Sequence, residues 1–262
     1  MNRYLSTVGL YARWNLYKIL TIILITALAA GFLVYRYPIG TVVLDENYVS
    51  AETGETTQLV ASYPKLEGVV SGSGAPVVCA AGFAAIVAVM SLTGCGYGAK
   101  TDYTIRRLRV KERQAVLLWA AYHTVLLVIY WAVLAAVLYG VMHLRLQMDV
   151  PVDYFVYTYG PQSMLLLCYT DTFLHHLLPL RDVAAWGVGI ASVLAAALST
   201  VLFSYRQRRG NFSVMVLLAL AGTIGSFFCG LGENANALLM VLLLGVAGAA
   251  FVMLIGGDKD AA

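Results

Sequence analysis

The chain has 262 residues, of which 60% are hydrophobic and only 12% are charged, and its mean hydropathy is +0.78. A soluble domain carries about 25% charged residues, so the composition excludes an ordinary soluble protein. The net charge of +3 says little by itself, because the charges on the two sides of a membrane protein must be counted separately. We predict an all-α integral membrane protein with a single transmembrane domain, 1–262.

Long apolar segments give the predicted spans. A helix needs about 20 apolar residues to cross a hydrocarbon core about 30 Å thick. The short sequence GENA separates the last two segments, so we expect those two helices to form an antiparallel hairpin. The predicted transmembrane helices are 16–35, 76–93, 114–142, 184–205, 212–231 and 235–255.

One further apolar segment, SMLLLCYTDTFLHHLLPL at 163–180, carries Asp171, His175 and His176 in its middle. Asp171 and His175 are four residues apart, so the polar groups share one helical face while most of the apolar residues occupy the other. This pattern is typical of an interfacial or re-entrant helix. We therefore place it within an outer segment, 143–183, before the fourth span.

The charge distribution supports six spans, because cytoplasmic loops collect Lys and Arg. With both termini cytoplasmic, the inner side holds thirteen cationic and four acidic residues, and the outer side holds four cationic and ten acidic residues. A seventh span at 163–180 would move the cations of RQRRG, 206–210, to the outside. We predict an extracellular loop at 36–75 and a cytoplasmic loop at 94–113.

The cytoplasmic loop is unusually basic: six of the chain's seventeen Lys and Arg residues lie between positions 94 and 116. Thr101 can cap a helix, and Asp102 suits the positive end of the helix dipole. A short cationic helix on the inner membrane face is therefore expected. Its residues suit either a topology anchor that contacts anionic lipid headgroups or a docking element for a cytosolic partner.

The sequence GYGAKTDYTIRRLRVKERQAVLLWAAYHTV, between the second and third predicted spans, resembles the first cytoplasmic loop of ABC transporter type-2 permeases of the small Gram-positive bacterial kind. In that family a short coupling helix in this loop contacts the ATPase subunit. ARWNLYKILT, 12–21, is similar to the family's amphipathic N-terminal interface helix, which we assign to 1–15. The resemblance implies that the residues that couple the permease to its ATPase are Lys100, Tyr103, Arg106, Arg107 and Arg109.

The same resemblance implies an exporter in the bacterial cytoplasmic membrane, with two permease subunits, identical or different, and two cytosolic ATPases. The chain has no GxxxxGK[ST] phosphate loop, so ATP and Mg are expected on the partner chain and no cofactor on this one. Amphiphilic, peptide and drug-like cargoes all suit an apolar pathway. The lipid bilayer is an expected partner and nucleic acid is not.

Other classes of function are less well supported. HExxH and paired acidic motifs are absent from the sequence, so we expect no catalytic residues and no enzyme activity. The alternative to an exporter is a membrane accessory or immunity protein that binds a partner without translocating anything.

Two groups of ionisable residues are candidate sites. His123 lies about two turns into the third span and is a candidate for the transport pathway, although an interhelical hydrogen bond is the commoner role at such a depth. Asp171, His175 and His176 form a candidate outer polar cluster. They lack a fixed fourth ligand and clear zinc-site spacing, so we favour structural hydrogen bonding and predict no metal.

The small residues of the last predicted span and the four cysteines each allow more than one interpretation. Gly245 and Ala249 have the spacing that allows close helix approach, either within the chain or at a dimer seam. The four cysteines have no metal-site spacing, and free buried thiols are favoured. A disulfide among Cys79, Cys168 and Cys229 stays an alternative.

Overall fold

The computed structural model describes residues 2–49, 56–93, 112–148, 150–152, 155–157, 162–180, 182–228 and 233–256. Helices dominate, as the sequence predicts. In chain order the elements are α1 (Asn2–Arg36), β1 (Gly40–Val49), β2 (Thr56–Lys65), α2 (Val69–Gly72), α3 (Ala75–Thr93), α4 (Glu112–Leu146), β3 (Val150–Val152), β4 (Phe155–Tyr157), α5 (Ser163–Thr170), α6 (Thr172–Leu177), α7 (Val183–Gln207), α8 (Met215–Thr223), a π-helical turn (Ile224–Phe228) and α9 (Glu233–Gly256).

Five of these helices are long and apolar enough to cross a membrane, which makes the chain a multi-pass membrane protein. The interface helix predicted at 1–15 is not a separate element, because α1 continues without a break into the first apolar segment. No proline interrupts this region of the sequence. The five candidate spans are Asn15–Arg36, Ala75–Thr93, Gln114–Leu146, Val183–Gln207 and Ala235–Gly256.

The segment predicted as the fifth span, 212–231, forms a shorter helix. Residues 211–214 are not helical after Gly210, which has a positive φ of 77°. Helix α8 therefore begins only at Met215, and Met215–Ser226 falls below the length of the five candidate spans. The π-helical turn continues α8 to Phe228.

The helix ends meet at two opposite ends of the bundle. At one, Arg145 of α4 donates from Nη1 to the backbone carbonyl oxygens of Val34, at 2.9 Å, and Tyr37. At the other, the Ser204 hydroxyl of α7 donates to the backbone carbonyl oxygen of Ser91 in α3, at 2.7 Å. We name these the Arg145 end and the Ser204 end.

Helices α7 and α9 run in the same direction between these ends. At the start of α9, Asn236 lies 3.0 Å from the His176 ring of α6, which precedes α7. At the Ser204 end, Leu254 of α9 packs in one cluster with Tyr205 of α7. The intervening segment, Met215–Phe228, therefore runs from the Ser204 end to the Arg145 end, and Phe228 lies near that end with its ring centroid 5.9 Å from the ring of Phe173.

Two antiparallel β-hairpins occupy segments that we predicted as outer loops, 36–75 and 143–183. Strand β1 pairs with β2 along its whole length, with Gly40 opposite Lys65. Strand β3 pairs with β4 over three residues. Valine recurs in both hairpins and threonine in the first, and β-branched residues favour strands. The segments lack the long apolar runs that identify spans, and our prediction did not assign them strands.

Small residues let the helices approach closely. A methyl group at Gly82 of α3 would overlap the Thr26 side chain of α1, and one at Gly189 of α7 would overlap the Trp131 ring of α4. Helix α7 is accordingly the most buried of the candidate spans, with 72% of its most apolar window inside the protein. Helices within lipid gain little free energy from burying apolar surface, so van der Waals packing at close range holds them together.

We expect Gly82→Ala to lower the free energy of unfolding by about 1–3 kcal/mol, because the added methyl group overpacks the α1–α3 contact. Thermal denaturation of the purified protein in detergent measures the change. Thr26→Ala in the same chain removes the overlapping atoms and should restore most of the loss.

Gly140→Ala is the matched control, since no described atom lies within 4 Å of a Cβ placed at that position of α4. It should leave stability unchanged or raise it by about 0.5–1 kcal/mol. Equal losses from Gly82→Ala and Gly140→Ala would contradict the close packing of α1 on α3.

Candidate functional site

Asp171 interrupts the segment that we predicted as one interfacial helix. Its extended backbone, with φ −85° and ψ 116°, ends α5 and begins α6. The expectation that Asp171 and His175 share a face of one continuous helix is therefore wrong. The polar face is also not the exposed one: Asp171 and His176 are buried together with Phe173 and Leu174, while Tyr169 is half exposed. The break occurs because an aspartate side chain caps a new helix better than it continues an old one.

The Asp171 carboxylate is completely buried and accepts four hydrogen bonds from backbone N–H groups. Oδ1 accepts from Phe173 and Leu174 at 3.1 Å each, in the first turn of α6. Oδ2 accepts from Val70 at 2.8 Å and Ser71 at 2.9 Å, in α2. A carboxylate has about four lone-pair positions, so these bonds use its full acceptor capacity. This arrangement favours the structural role over metal binding.

His176 connects the same region to α9. Its Nδ1 lies 2.6 Å from the Thr172 carbonyl oxygen and its Nε2 lies 3.0 Å from Nδ2 of Asn236. A carbonyl oxygen only accepts, so Nδ1 carries the proton and Nε2 accepts from the asparagine. Both ring nitrogens are thereby used within the protein, which leaves neither for a metal ion.

His175 points toward a different partner. Its Nε2 lies 3.6 Å from Oδ2 of Asp182, the residue that caps α7 by accepting from the backbone N–H groups of Ala184 and Ala185. These N–H groups, that of Ala185 first, and the nearby His175 lower the pKa of Asp182. Asp171, His175 and His176 thus contact three separate sets of partners, and among the described residues no group of three or more His, Cys, Asp or Glu side chains could hold a metal ion.

His123 is completely buried at the interface of α4 and α7. Its Nδ1 lies 2.9 Å from the Thr200 hydroxyl oxygen, and that hydroxyl donates to the Ala197 carbonyl oxygen at 2.8 Å. The hydroxyl proton is therefore committed, so Nδ1 donates and Nε2 is left with a lone pair. Among the described residues Nε2 has no hydrogen-bond partner, while the Trp119 ring packs edge-on at 5.3 Å.

The predicted coupling residues lie outside the described residues: Lys100, Tyr103, Arg106, Arg107 and Arg109. The helices on either side of them are described. α3 reaches the Ser204 end through Ser91, and α4 begins there, since Val116 packs with Tyr205 and Leu254. The cationic stretch therefore joins two helices at one end of the bundle.

The structure describes the candidate glycines and two of the four cysteines. No described atom lies within 4 Å of a Cβ placed at Gly245 or Gly248, so these glycines do not serve close packing among the described helices. Cys79 and Cys168 are both free and buried; burial and the charge of Asp171 raise the pKa of the Cys168 thiol. Cys229 is not among the described residues.

Several site residues were not identified from the sequence. Thr200 and Asn236 lie 77 and 60 positions from the histidines they contact, and no local pattern links them. Asp182 does have a local signal, because it directly precedes the apolar run of α7, a typical N-cap position.

These features define the class of the protein: a helical, multi-pass membrane protein with buried polar contacts between its helices. Comparison with protein-family models, with curated proteins and with solved structures gives no match to this chain.

We expect Asp171→Asn to lower the free energy of unfolding by about 3 kcal/mol, because the amide nitrogen cannot accept the buried N–H groups that one carboxylate oxygen now accepts. Asp182→Asn is the control, since asparagine caps helices about as well as aspartate. Denaturation of both variants in detergent measures the difference. Equal losses would show that the four bonds to Asp171 are unimportant.

Asp182 should also give the protein a specific pH dependence. Its pKa is lowered from 3.8 in the folded protein, so its contribution to stability is present above that value and is lost as the pH falls through the lowered folded pKa. The difference in melting temperature between the natural protein and Asp182→Asn should therefore shrink below about pH 4. A difference that stays constant from pH 7 to pH 3 would contradict this assignment.

Proposed function

We propose that the chain is the membrane-spanning permease subunit of an ATP-binding-cassette exporter in the bacterial cytoplasmic membrane. ATP and Mg bind a separate cytosolic ATPase, and a second permease subunit completes the transporter. The observation that carries the proposal is the position of the cationic stretch, 94–113, which joins α3 and α4 at the Ser204 end. Its sequence resembles a coupling loop.

Further cations support a cytoplasmic location for the Ser204 end. Arg206, Arg208 and Arg209 close α7 there. Arg208 donates from Nε to the Ser204 carbonyl oxygen at 3.3 Å, and the Arg209 guanidinium lies 4.3 Å from the centre of the Tyr205 ring. Lys and Arg concentrate on the cytoplasmic side of membrane proteins. A cytoplasmic location of this end puts the cationic stretch, 94–113, on the side of the membrane where a soluble ATPase is found.

Six crossings with both termini in the cytoplasm form part of the proposal. The parallel course of α7 and α9 supports it, since the connecting segment must return between them. Met215–Phe228 has fourteen helical residues, about 21 Å at 1.5 Å per residue, which is less than a full hydrocarbon core. Residues 211–214, which are not helical, lengthen the crossing at the Ser204 end.

The apolar interior supports one class of cargo over others. Most buried side chains of the described residues are apolar, and most of the buried polar ones are hydrogen-bonded, so the pathway suits amphiphilic, peptide or drug-like molecules better than ions. His123 is the candidate pathway residue, because its Nε2 lone pair is not used by the described residues.

The proposal is tested by purifying a tagged chain from its native membranes in mild detergent, identifying its companions by mass spectrometry and measuring ATP hydrolysis. A stoichiometric soluble ATPase with active hydrolysis is the expected result. A chain that purifies alone, or with other membrane proteins only, would instead indicate a non-translocating accessory or immunity protein.

Charge reversal tests the coupling residues themselves. Arg106→Glu with Arg107→Glu should release the ATPase or abolish the stimulation of its hydrolysis, because the docking contacts become repulsive. Arg208→Glu with Arg209→Glu makes the same charge change at the same end of the bundle and should keep the ATPase. Unchanged stimulated hydrolysis in the Arg106 and Arg107 variant would exclude the predicted coupling role.

A further inference from the structure

Helix α5 is too short to span a membrane, yet it is apolar on all sides. Its sequence, SMLLLCYT, contains no Asp, Glu, Lys, Arg or His. A helix that lies at a membrane–water interface turns a polar face to the water, whereas a helix that is apolar all round is normally covered on every side. The buried side chains are Met164, Leu167 and Cys168, and the large exposed ones are Leu165 (55%), Leu166 (56%) and Tyr169 (49%).

Helix α6, which follows α5, lies beside the spans and not beyond their ends. The Trp131 indole of α4 donates to the carbonyl oxygen of Leu177, the last residue of α6, at 2.9 Å. The same ring packs where Gly189 has no side chain. Gly189 lies six residues into α7, about 9 Å from its start at 1.5 Å per residue. The end of α6 is therefore level with the first turns of a candidate span.

Helix α5 is held at the level where α7 begins. It packs against α4 and α6, and the centroid of its Tyr169 ring lies 6.0 Å from that of the His175 ring in α6. His175 in turn lies 3.6 Å from Asp182, the N-cap residue of α7. Val183 and Trp186, in the first turn of α7, are exposed apolar residues of a candidate span. The exposed face of α5 is therefore level with a helix surface that suits lipid.

Polar groups around the break between α5 and α6 find their partners within the protein. The Asp171 backbone N–H donates to the Leu167 carbonyl oxygen at 3.0 Å, and the Asp171 carboxylate accepts from Phe173 and Leu174. The exposed Thr170 hydroxyl donates to the Leu166 carbonyl oxygen at 3.0 Å. Non-helical backbone is tolerated at membrane depth only where the protein supplies such partners. These bonds suit an element that lies in lipid.

We infer that α5 lies among lipid acyl chains, just beneath the headgroups at the Arg145 end, and that Leu165, Leu166 and Tyr169 contact those chains. A tyrosine at this level also matches the aromatic residues that concentrate near membrane interfaces. This inference goes beyond the proposed function, because contact with lipid requires neither ATP nor an ATPase. Its success or failure is therefore measured separately, on the purified chain alone.

The natural chain in phosphatidylcholine nanodiscs gives the first test. One sample contains a trace of phosphatidylcholine with a photoactivatable diazirine on an acyl chain, and another contains a lipid with the diazirine on its headgroup. Adducts mapped by mass spectrometry should appear on 163–170 with the acyl-chain probe, as they should on the exposed Ile190 of α7, and more weakly with the headgroup probe. Adducts on 163–170 from the headgroup probe alone, or from neither probe, would overturn the inference.

Spin labels give the second test, in a chain whose native cysteines are replaced by alanine. A nitroxide on Leu166→Cys should collide more often with oxygen, which concentrates in hydrocarbon, than with a water-soluble nickel complex, as should one on Ile190→Cys. Gln147→Cys, just past the end of α4, is the control for water and should show the reverse. Collisions at Leu166→Cys that match those at Gln147→Cys would place α5 in water and contradict the inference.

Protection of Leu166→Cys from both reagents would also contradict the inference, because it would show that protein, a second copy of the chain included, covers α5. Photolabelling of the natural chain decides the question if a cysteine variant does not fold.

Discussion

Four backbone N–H groups converge on the buried carboxylate of Asp171, and the arrangement of the Arg145 end depends on this contact. The first turn of a helix leaves N–H groups without partners inside the helix, and two short helices, α2 and α6, present theirs to the same side chain. α2 leads directly into α3, and α6 leads into α7. One carboxylate therefore fixes where two candidate spans begin, and His176 extends the connection to α9 through Asn236.

Polar groups elsewhere inside the bundle also find hydrogen-bond partners within the protein. A polar group within a membrane is costly unless the protein supplies its partner. The Tyr130 hydroxyl donates to the Cys79 carbonyl oxygen at 2.6 Å, joining α4 to α3, and His123 joins α4 to α7 through Thr200. These bonds fix neighbouring helices in place where hydrophobic burial cannot, since lipid is as apolar as the helix surfaces. Ser192 departs from this pattern, since its buried hydroxyl has no hydrogen-bond partner among the described residues.

The sequence predicts the five long helices because each requires an uninterrupted apolar run of known length, which a single chain displays directly. It does not predict the interruption at Asp171, because the apolar pattern continues through it and the competing interaction is with Val70, about one hundred positions away. The same reason applies to Thr200, whose contact with His123 depends on which helices become neighbours. Helix α8 is short because residues 211–214 are not helical, and the hydropathy of this apolar segment does not reveal that backbone conformation.

The proposed function requires a bundle whose Ser204 end, with the cationic stretch, faces the cytosol. Single cysteines at Gln162, Gly210 and Gly256, in a chain whose native cysteines are replaced, report this directly when intact cells are treated with a membrane-impermeant maleimide. If the Ser204 end is cytoplasmic, Gln162→Cys is labelled, whereas Gly210→Cys and Gly256→Cys are protected until the membrane is opened. Labelling of Gly256→Cys in intact cells would show that Met215–Phe228 does not cross, and labelling of Gly210→Cys would place the cationic end outside and contradict the proposed coupling.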